Sequence, residues 1–257
     1  MPLVIDTDGG TDDALALWWA VSAPGVEVAA VVATFGNVGR DVAATNVCRV
    51  LHAAGRGDIP VALGADGPPR PDSPHGADGL GGYAARWSTG GLRPVVEPAG
   101  DLLRRVTADR PGAVDLVTIG PLSTLAGALA LDPEIAGRAR ALTVMGGTNL
   151  DLDPGATNAA LAADWPAAPL VIGFDVTLGR LLHTDDLPGA GVGTAAALLG
   201  PPLWAYAASS VRRGRVPPGR CPAHDLVAVM AAVAGEVPPE ARLRAAVRGL
   251  WQESPET

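Results

Sequence analysis

The chain contains no lysine, so all 19 of its basic side chains are arginines, set against 27 aspartates and glutamates for a net charge of −8. Nucleic-acid binding rests on clustered cations that displace counterions, and this balance argues against such a partner. The one basic knot, Arg212, Arg213 and Arg215 with Arg220 nearby, reads as a solvated loop face. Cysteine is scarce as well. Cys48 falls in a predicted helix and Cys221 in a predicted loop, without metal-type spacing, so both read as free thiols of a reducing compartment. No apolar run approaches the roughly 20 residues of a membrane span. No cationic leader precedes the first strand, and the expectation is a cytoplasmic protein without a membrane partner. Low-complexity tracts and repeats are missing too: glycine and proline are frequent but fall between apolar runs, as turn punctuation. A chain of 257 residues with 48% hydrophobic content can bury a sizeable core, and one domain spanning residues 1–257 is expected.

What is present alternates. Pro2 to Asp6 is a short apolar run, and Thr11 to Val21 places Ala14, Leu15, Trp18 and Val21 at helical spacing. Val26 to Ala33 is a β-branched run of the kind buried on both faces, and Val42 to Ala54 returns to helical periodicity. Strands follow at Ile59 to Ala62, Val114 to Ile119, Leu142 to Met145 and Pro169 to Phe174, with helices at Leu102 to Ala108, Leu122 to Leu131 and Leu203 to Arg212. This βαβ rhythm predicts an α/β fold: a mostly parallel central sheet with helices on both faces, a Rossmann-like core, and a ligand site outside the carboxyl ends of the strands.

At the first strand end, Val4-Ile5-Asp6-Thr7-Asp8-Gly9-Gly10-Thr11-Asp12-Asp13 crowds four carboxylates into eight residues. Each prefers ionisation at neutral pH, so bringing them together in a low-dielectric crevice is costly unless a cation shares the site. Hard divalent ions suit oxygen ligands. The two glycines let the chain turn tightly, and Asp12 and Asp13 enter a helix N-terminus, where negative charge is favoured. Helix capping by Thr11 or Asp12 accounts for one or two acids, not four.

The segment Asp-x-Asp-Gly after a strand also resembles the nucleophile loop of haloacid-dehalogenase-type phosphatases. Here the second glycine breaks that register, and those enzymes use a lysine that this chain lacks. A longer resemblance runs through most of the chain. The acid loop is followed by Thr34-Phe35-Gly36-Asn37 with Asn46, His75-Gly76-Ala77-Asp78-Gly79-Leu80-Gly81, Ile119-Gly120-Pro121-Leu122-Ser123, Met145-Gly146-Gly147, Asp175-Val176-Thr177 and His224-Asp225. In this order the motifs resemble the inosine–uridine-preferring nucleoside hydrolase family.

The resemblance implies Ca²⁺-dependent hydrolysis of the N-glycosidic bond of a ribonucleoside or modified nucleoside, giving free base and ribose. It makes Asp8, Asp13 and Asp225, with the Ile119 carbonyl, the expected metal ligands. Asp8 would take a proton from a metal-bound water, and His224 would protonate or steady the leaving base. Asp12 and Asn37 would grip sugar hydroxyls, and the Gly67 to Gly82 loop would cover the substrate, with His75 and Met145 as candidate pocket walls. Relatives place base-stacking aromatics on the helix carrying Trp204 and Tyr206. Residues two apart on a helix point about 200° from each other, so at most one of this pair faces the base, and the other is expected to pack in the core. Relatives are commonly homo-oligomers.

The sequence also departs from the pattern. Relatives carry a Glu and an Asn, separated by one residue, after Met-Gly-Gly to hold the ribose, whereas no glutamate occurs here between Glu134 and Glu236. Asn158 is the candidate remnant, with Asp151 or Asp153 as possible substitutes. Gly9 stands where proline is usual and is expected only to loosen the loop; Thr124 stands where Asn is usual. The chain stops soon after Arg248-Gly249, which reads as a shortened C-terminal end. Two readings stay open: a nucleoside N-ribohydrolase, or a relative that binds Ca²⁺ and a ribosyl ligand without turnover.

Overall fold

The computed structural model describes residues 1–189 and 193–252. In chain order the elements are β1 (Pro2–Thr7), α1 (Thr11–Ser22), β2 (Glu27–Ala33), α2 (Arg40–Ala53), β3 (Val61–Leu63), α3 (Ala99–Asp109), β4 (Asp115–Thr118) and α4 (Ser123–Leu131). Then come α5 (Glu134–Arg138), β5 (Ala141–Met145), α6 (Thr148–Leu152), α7 (Pro154–Leu161), β6 (Leu170–Ile172) and α8 (Phe174–Thr177). The last part holds β7 (Leu182–His183), α9 (Thr194–Arg212), β8 (Arg220–Cys221), α10 (His224–Ala234) and α11 (Glu240–Leu250).

Six strands form one parallel sheet in the order β3-β2-β1-β4-β5-β6. The order reverses between β1 and β4, which opens a crevice at their carboxyl ends. The sequence motifs converge there: β1 runs out into the acid loop and β4 into Ile119-Gly120-Pro121. Neighbouring side chains on a strand point to opposite faces, and this sorts the core. Leu3 and Ile5 join α1, α2, α9 and α10 on one side, while Val4, Val32, Leu116 and Leu142 join α3, α4 and α5 on the other. Asp225 through Ala232 of α10 are all buried, so this helix is apolar nearly all round and runs inside the molecule, against α1 and β5.

The α/β architecture expected from the rhythm of the sequence is the one observed. Differences sit at element ends and in short pieces. The third strand is shifted to Val61–Leu63, and the sixth stops at Ile172 because Gly173 caps a helical turn that begins at Phe174. Cys221 lies in β8, paired antiparallel with β7, and not in a loop. Both cysteines are buried and unbonded to each other. Among the described residues, no helix is long and apolar enough to cross a membrane.

Candidate functional site

The acid loop leaves β1 through two glycines. At Gly9 the backbone is left-handed, φ +73°, and an added Cβ would stand 2.5 Å from Ala43 Cα. A proline ring fixes φ near −65°. The loop therefore follows a path that the family's proline cannot take, which corrects the expectation that Gly9 only loosens it. Asp13 then anchors the turn. One of its oxygens accepts from the Thr7 hydroxyl at 2.5 Å and the Asp8 amide at 3.2 Å; the other accepts from Gly10 N at 2.9 Å and Asn37 Nδ2 at 3.3 Å. Asp8 accepts from Asn37 N at 2.9 Å and Asn37 Nδ2 at 2.8 Å, so the Thr34–Asn37 segment clamps it from the β2 side. Gly36 permits this, because a Cβ there would fall 2.1 Å from Asp8 Oδ2.

Ligand oxygens of Asp12, Asp13 and Asp225, all three residues buried, lie within 4.8 Å of one another. Asp12 joins this tight cluster, and Asp8, the ligand the resemblance implies, lies beside it, each of its oxygens accepting one Asn37 hydrogen bond and keeping a further lone pair. Burial followed by the charge of Asp13 pushes Asp12 up to about 7, and the same two causes hold Asp8 well above the ordinary carboxylate range. Asp225 is raised by burial, then by Asp12, Asp13 and Asp8. Asp12 Oδ1 and Asn37 Oδ1 are buried without a hydrogen-bond partner. Crowded acids and orphaned acceptors with all-oxygen chemistry fit a hard divalent cation.

Asp12, Asn37, Ile119 and Asp225 open on a cavity of about 340 Å³, at the small end of the roughly 300–1,000 Å³ common for small-molecule sites. His75 and Tyr206 form part of the wall, with ring centroids 4.3 Å apart. His75 Nδ1 accepts the Thr11 amide at 3.1 Å, so the neutral ring carries its proton on Nε2, 3.5 Å from Asp12 Oδ1. That distance is too long for a well-formed hydrogen bond. Burial, with the charges of Arg70, His224 and Arg215, holds the His75 ring well below its ordinary value. The Tyr206 hydroxyl reaches Asp12 Oδ2 at 3.4 Å.

His224 also lines the cavity. Its Nδ1 is 2.7 Å from the Thr177 hydroxyl, its ring packs at a 59° tilt against Phe174 with centroids 4.9 Å apart, and burial followed by the charge of Arg215 lowers it to about 4. The Gly67 to Gly82 loop closes this side. Asn46 Nδ2 ties it to the acid loop by donating to Gly9 O at 3.0 Å and Asp78 O at 2.8 Å, while the Asp78 carboxylate collects the amides of Leu80, Gly82 and Ala84.

The structure therefore brings Asp12, Asn37, His75, Ile119, Met145, Tyr206, His224 and Asp225 together around one cavity, with Asp8 and Asp13 beside them. Two candidates fall elsewhere. Asn158 is exposed on α7, and Trp204 is 45% exposed with its indole nitrogen donating to Pro188 O, so it is neither a cavity wall nor core. Asp153 caps α7 and accepts from the Ser123 hydroxyl, and Asp151 is exposed; neither lines the cavity. The amide in the wall is Asn149, which donates to Ile119 O at 2.9 Å and Met145 O at 3.4 Å. Asn149, Arg70, Phe174 and Arg215 were not singled out as site residues by the sequence; proximity of Asn149 to Met145-Gly146-Gly147 was the one available signal.

Fold and site together define a doubly wound α/β protein with a buried acid cluster at the switch point and a cavity for a small ligand. The inosine-uridine preferring nucleoside hydrolase family model matches residues 3–253, and the chain belongs to that family. It is 34% identical over 203 residues to a probable uridine nucleosidase 2 of Arabidopsis thaliana, covering 72% of this chain and 62% of that protein. It is 31% identical over 204 residues to the pyrimidine-specific ribonucleoside hydrolase RihA of Salmonella arizonae, covering 73% and 64%. The matched region thus spans less than two-thirds of these relatives' length. Among solved structures, a plant nucleoside hydrolase superposes with a TM-score of 0.84 at 29% identity, covering 91% of this chain and 79% of that one. Family membership sets aside the phosphatase resemblance.

Proposed function

We propose that the protein hydrolyses the N-glycosidic bond of a ribonucleoside-like substrate, releasing free base and a ribose. The observation that carries this reading is the acid cluster of Asp12, Asp13 and Asp225 opening on a cavity whose opposite wall is histidine and aromatic. The family and the names of its members support it. Asp8, Asp13, Asp225 and the Ile119 carbonyl are the proposed holders of a cation; Asn149 uses one lone pair of that carbonyl and leaves the other. Ca²⁺, the proposed ion, would neutralise the acids, orient sugar hydroxyls and acidify a water when bound.

The protein's own part follows from its geometry. Asp12 and Asn37 offer buried oxygens without partners, suited to accept from two sugar hydroxyls. Asp8, fixed by both Asn37 donors and raised by burial, is the proposed general base that removes a proton from the attacking water. As the C1′–N bond breaks, positive charge develops on the sugar, and the adjacent carboxylates stabilise it. Burial, with the charge of Arg215, holds His224 neutral at pH 7, so it steadies the departing base by hydrogen bonding and does not arrive as an acid. Tyr206 and His75 flank the base.

The test follows free base and reducing sugar from a nucleoside panel, with Ca²⁺ supplied and then chelated. Chelator-sensitive release is expected, and Asp8→Asn should lower kcat by about 10³-fold or more while the protein stays folded. Release that ignores both the chelator and the substitution would refute the mechanism. The missing Glu of the family's Glu and Asn pair favours the second reading, a protein that binds Ca²⁺ and a ribosyl ligand without turnover; binding without release across the panel would establish it.

A further inference from the structure

We propose that the substrate carries an anionic group on C5′, a 5′-phosphate, and that Arg70 recognises it. This rests on the ribohydrolase reading and narrows its substrate. In that reading Asp12 and Asn37 take the sugar hydroxyls, and His224, Phe174, His75 and Tyr206 take the base. The wall also carries Arg70 and Asn149, joined to each other by a hydrogen bond and used by neither of those roles, so they are available to the remaining arm of the sugar.

Arg70 enters from the covering loop, where its backbone amide is pinned to Gly36 O at 2.7 Å. Its guanidinium gives one hydrogen bond within the described residues, from a terminal nitrogen to Asn149 Oδ1 at 3.0 Å. Asn149 is 6% exposed and held in turn by Ile119 O and Met145 O, so the fork is aimed by a rigid partner. Arg70 Nε is buried without a partner, and among the described residues Arg70 makes no ion pair, its charge being felt only at a distance, by Asp8 and His75. A guanidinium has five N–H donors in a fixed fork that matches phosphate or carboxylate oxygens. A neutral hydroxymethyl arm would use one of them and leave a half-buried charge unpaired; an anionic arm satisfies several and the charge together. Arg215 lines the same cavity, also without an ion pair among the described residues, and adds to the positive field. With a cation offsetting the acid cluster, two arginines that make no ion pair among the described residues leave this cavity able to seat an anion.

The test separates recognition from turnover. Calorimetry on the Ca²⁺-loaded full chain compares ribose 5-phosphate with ribose, and base release is followed from nucleosides and their 5′-monophosphates. Ribose 5-phosphate should bind roughly 10- to 100-fold more tightly than ribose, Arg70→Gln should bring that ratio near one, and Arg70→Lys, which keeps the charge but loses the fork, should fall between. If Arg70→Gln does not fold by circular dichroism, Arg70→Lys carries the comparison. A ratio of one or less in the wild type, or a ratio that Arg70 substitution leaves alone, overturns the proposal. Base release from nucleosides and not from their monophosphates also overturns it while the hydrolase reading stands. Arg70-dependent binding of ribose 5-phosphate without release from either substrate set upholds recognition and defeats the hydrolase reading.

Discussion

At the scale of single residues, two glycines give the sharpest expectations. Restoring the family residue with Gly9→Pro should destabilise this protein, because a proline ring cannot take the left-handed backbone, would put its Cβ 2.5 Å from Ala43 Cα and removes the Gly9 amide bond to the Thr7 hydroxyl. The strain alone is worth about 1–3 kcal/mol, read as a lower midpoint in urea. A midpoint at or above that of the wild type would show that the loop can take the proline path. Gly36→Ala drives a methyl into Asp8 and should reduce activity far more than stability, since Asp8 must leave its two Asn37 donors; kcat beside the thermal midpoint separates the two effects. The acids were legible as four carboxylates crowded at one strand end, and Asn37, His75 and His224 through motifs that resemble the family's. Asn149 and Arg70 were not, because each reaches the cavity from a loop or a one-turn helix whose path no periodicity reports.

Among the elements, β7, β8 and α11 show what sequence patterns hide. Two-residue strands carry no alternation to read, and they are defined by what they meet. Asp186, buried in the turn after β7, accepts from Arg244 at 2.6 Å and from Arg248 at 3.2 Å, while Trp251 donates to its carbonyl at 2.7 Å. This is how α11 docks. Burial pushes the Asp186 carboxyl up, but the Arg244 hydrogen bond, the His183 amide and the arginine charges outweigh it and hold the group below its ordinary value. The stability it supplies is therefore present at neutral pH and lost as pH falls through that depressed value. Asp186→Asn should cost roughly 1–3 kcal/mol at pH 7 and much less in acid, measured by urea unfolding at both pH values. On α9, opposed faces send Tyr206 inward and Trp204 outward, so Tyr206→Ala should impair substrate binding while Trp204→Ala leaves KM within about twofold.

For the whole molecule, the parallel sheet was legible because apolar runs buried on both faces alternate with helical spacing, and the switch point then fixes where the site must lie. The acid cluster also ties global stability to the ion. Without a cation, Asp8, Asp12 and Asp225 are all raised, so the folded state favours their protonated forms and its stability declines as pH rises, through about 7 for Asp12. Ca²⁺ at 100 times its Kd would add about 2.7 kcal/mol, a rise of roughly 5–10 °C in Tm for a chain of this size. Calorimetric scans at pH 6 and 8, with and without chelator, should show the ion effect growing with pH; a Tm indifferent to Ca²⁺ would remove the cation from this site.

The two buried thiols make the molecule its own clock. Cys48 sits inside α2, under the β3 side of the sheet, and Cys221 sits in the β7–β8 ribbon, its sulfur 3.8 Å from Leu203 O on the helix that carries Tyr206. A disulfide reagent reaches either sulfur only when its surroundings part. The two labelling rates therefore report opening at two places, beside the helix that lines the cavity and at the far flank, in an unaltered chain: equal rates mean one common opening and unequal rates two.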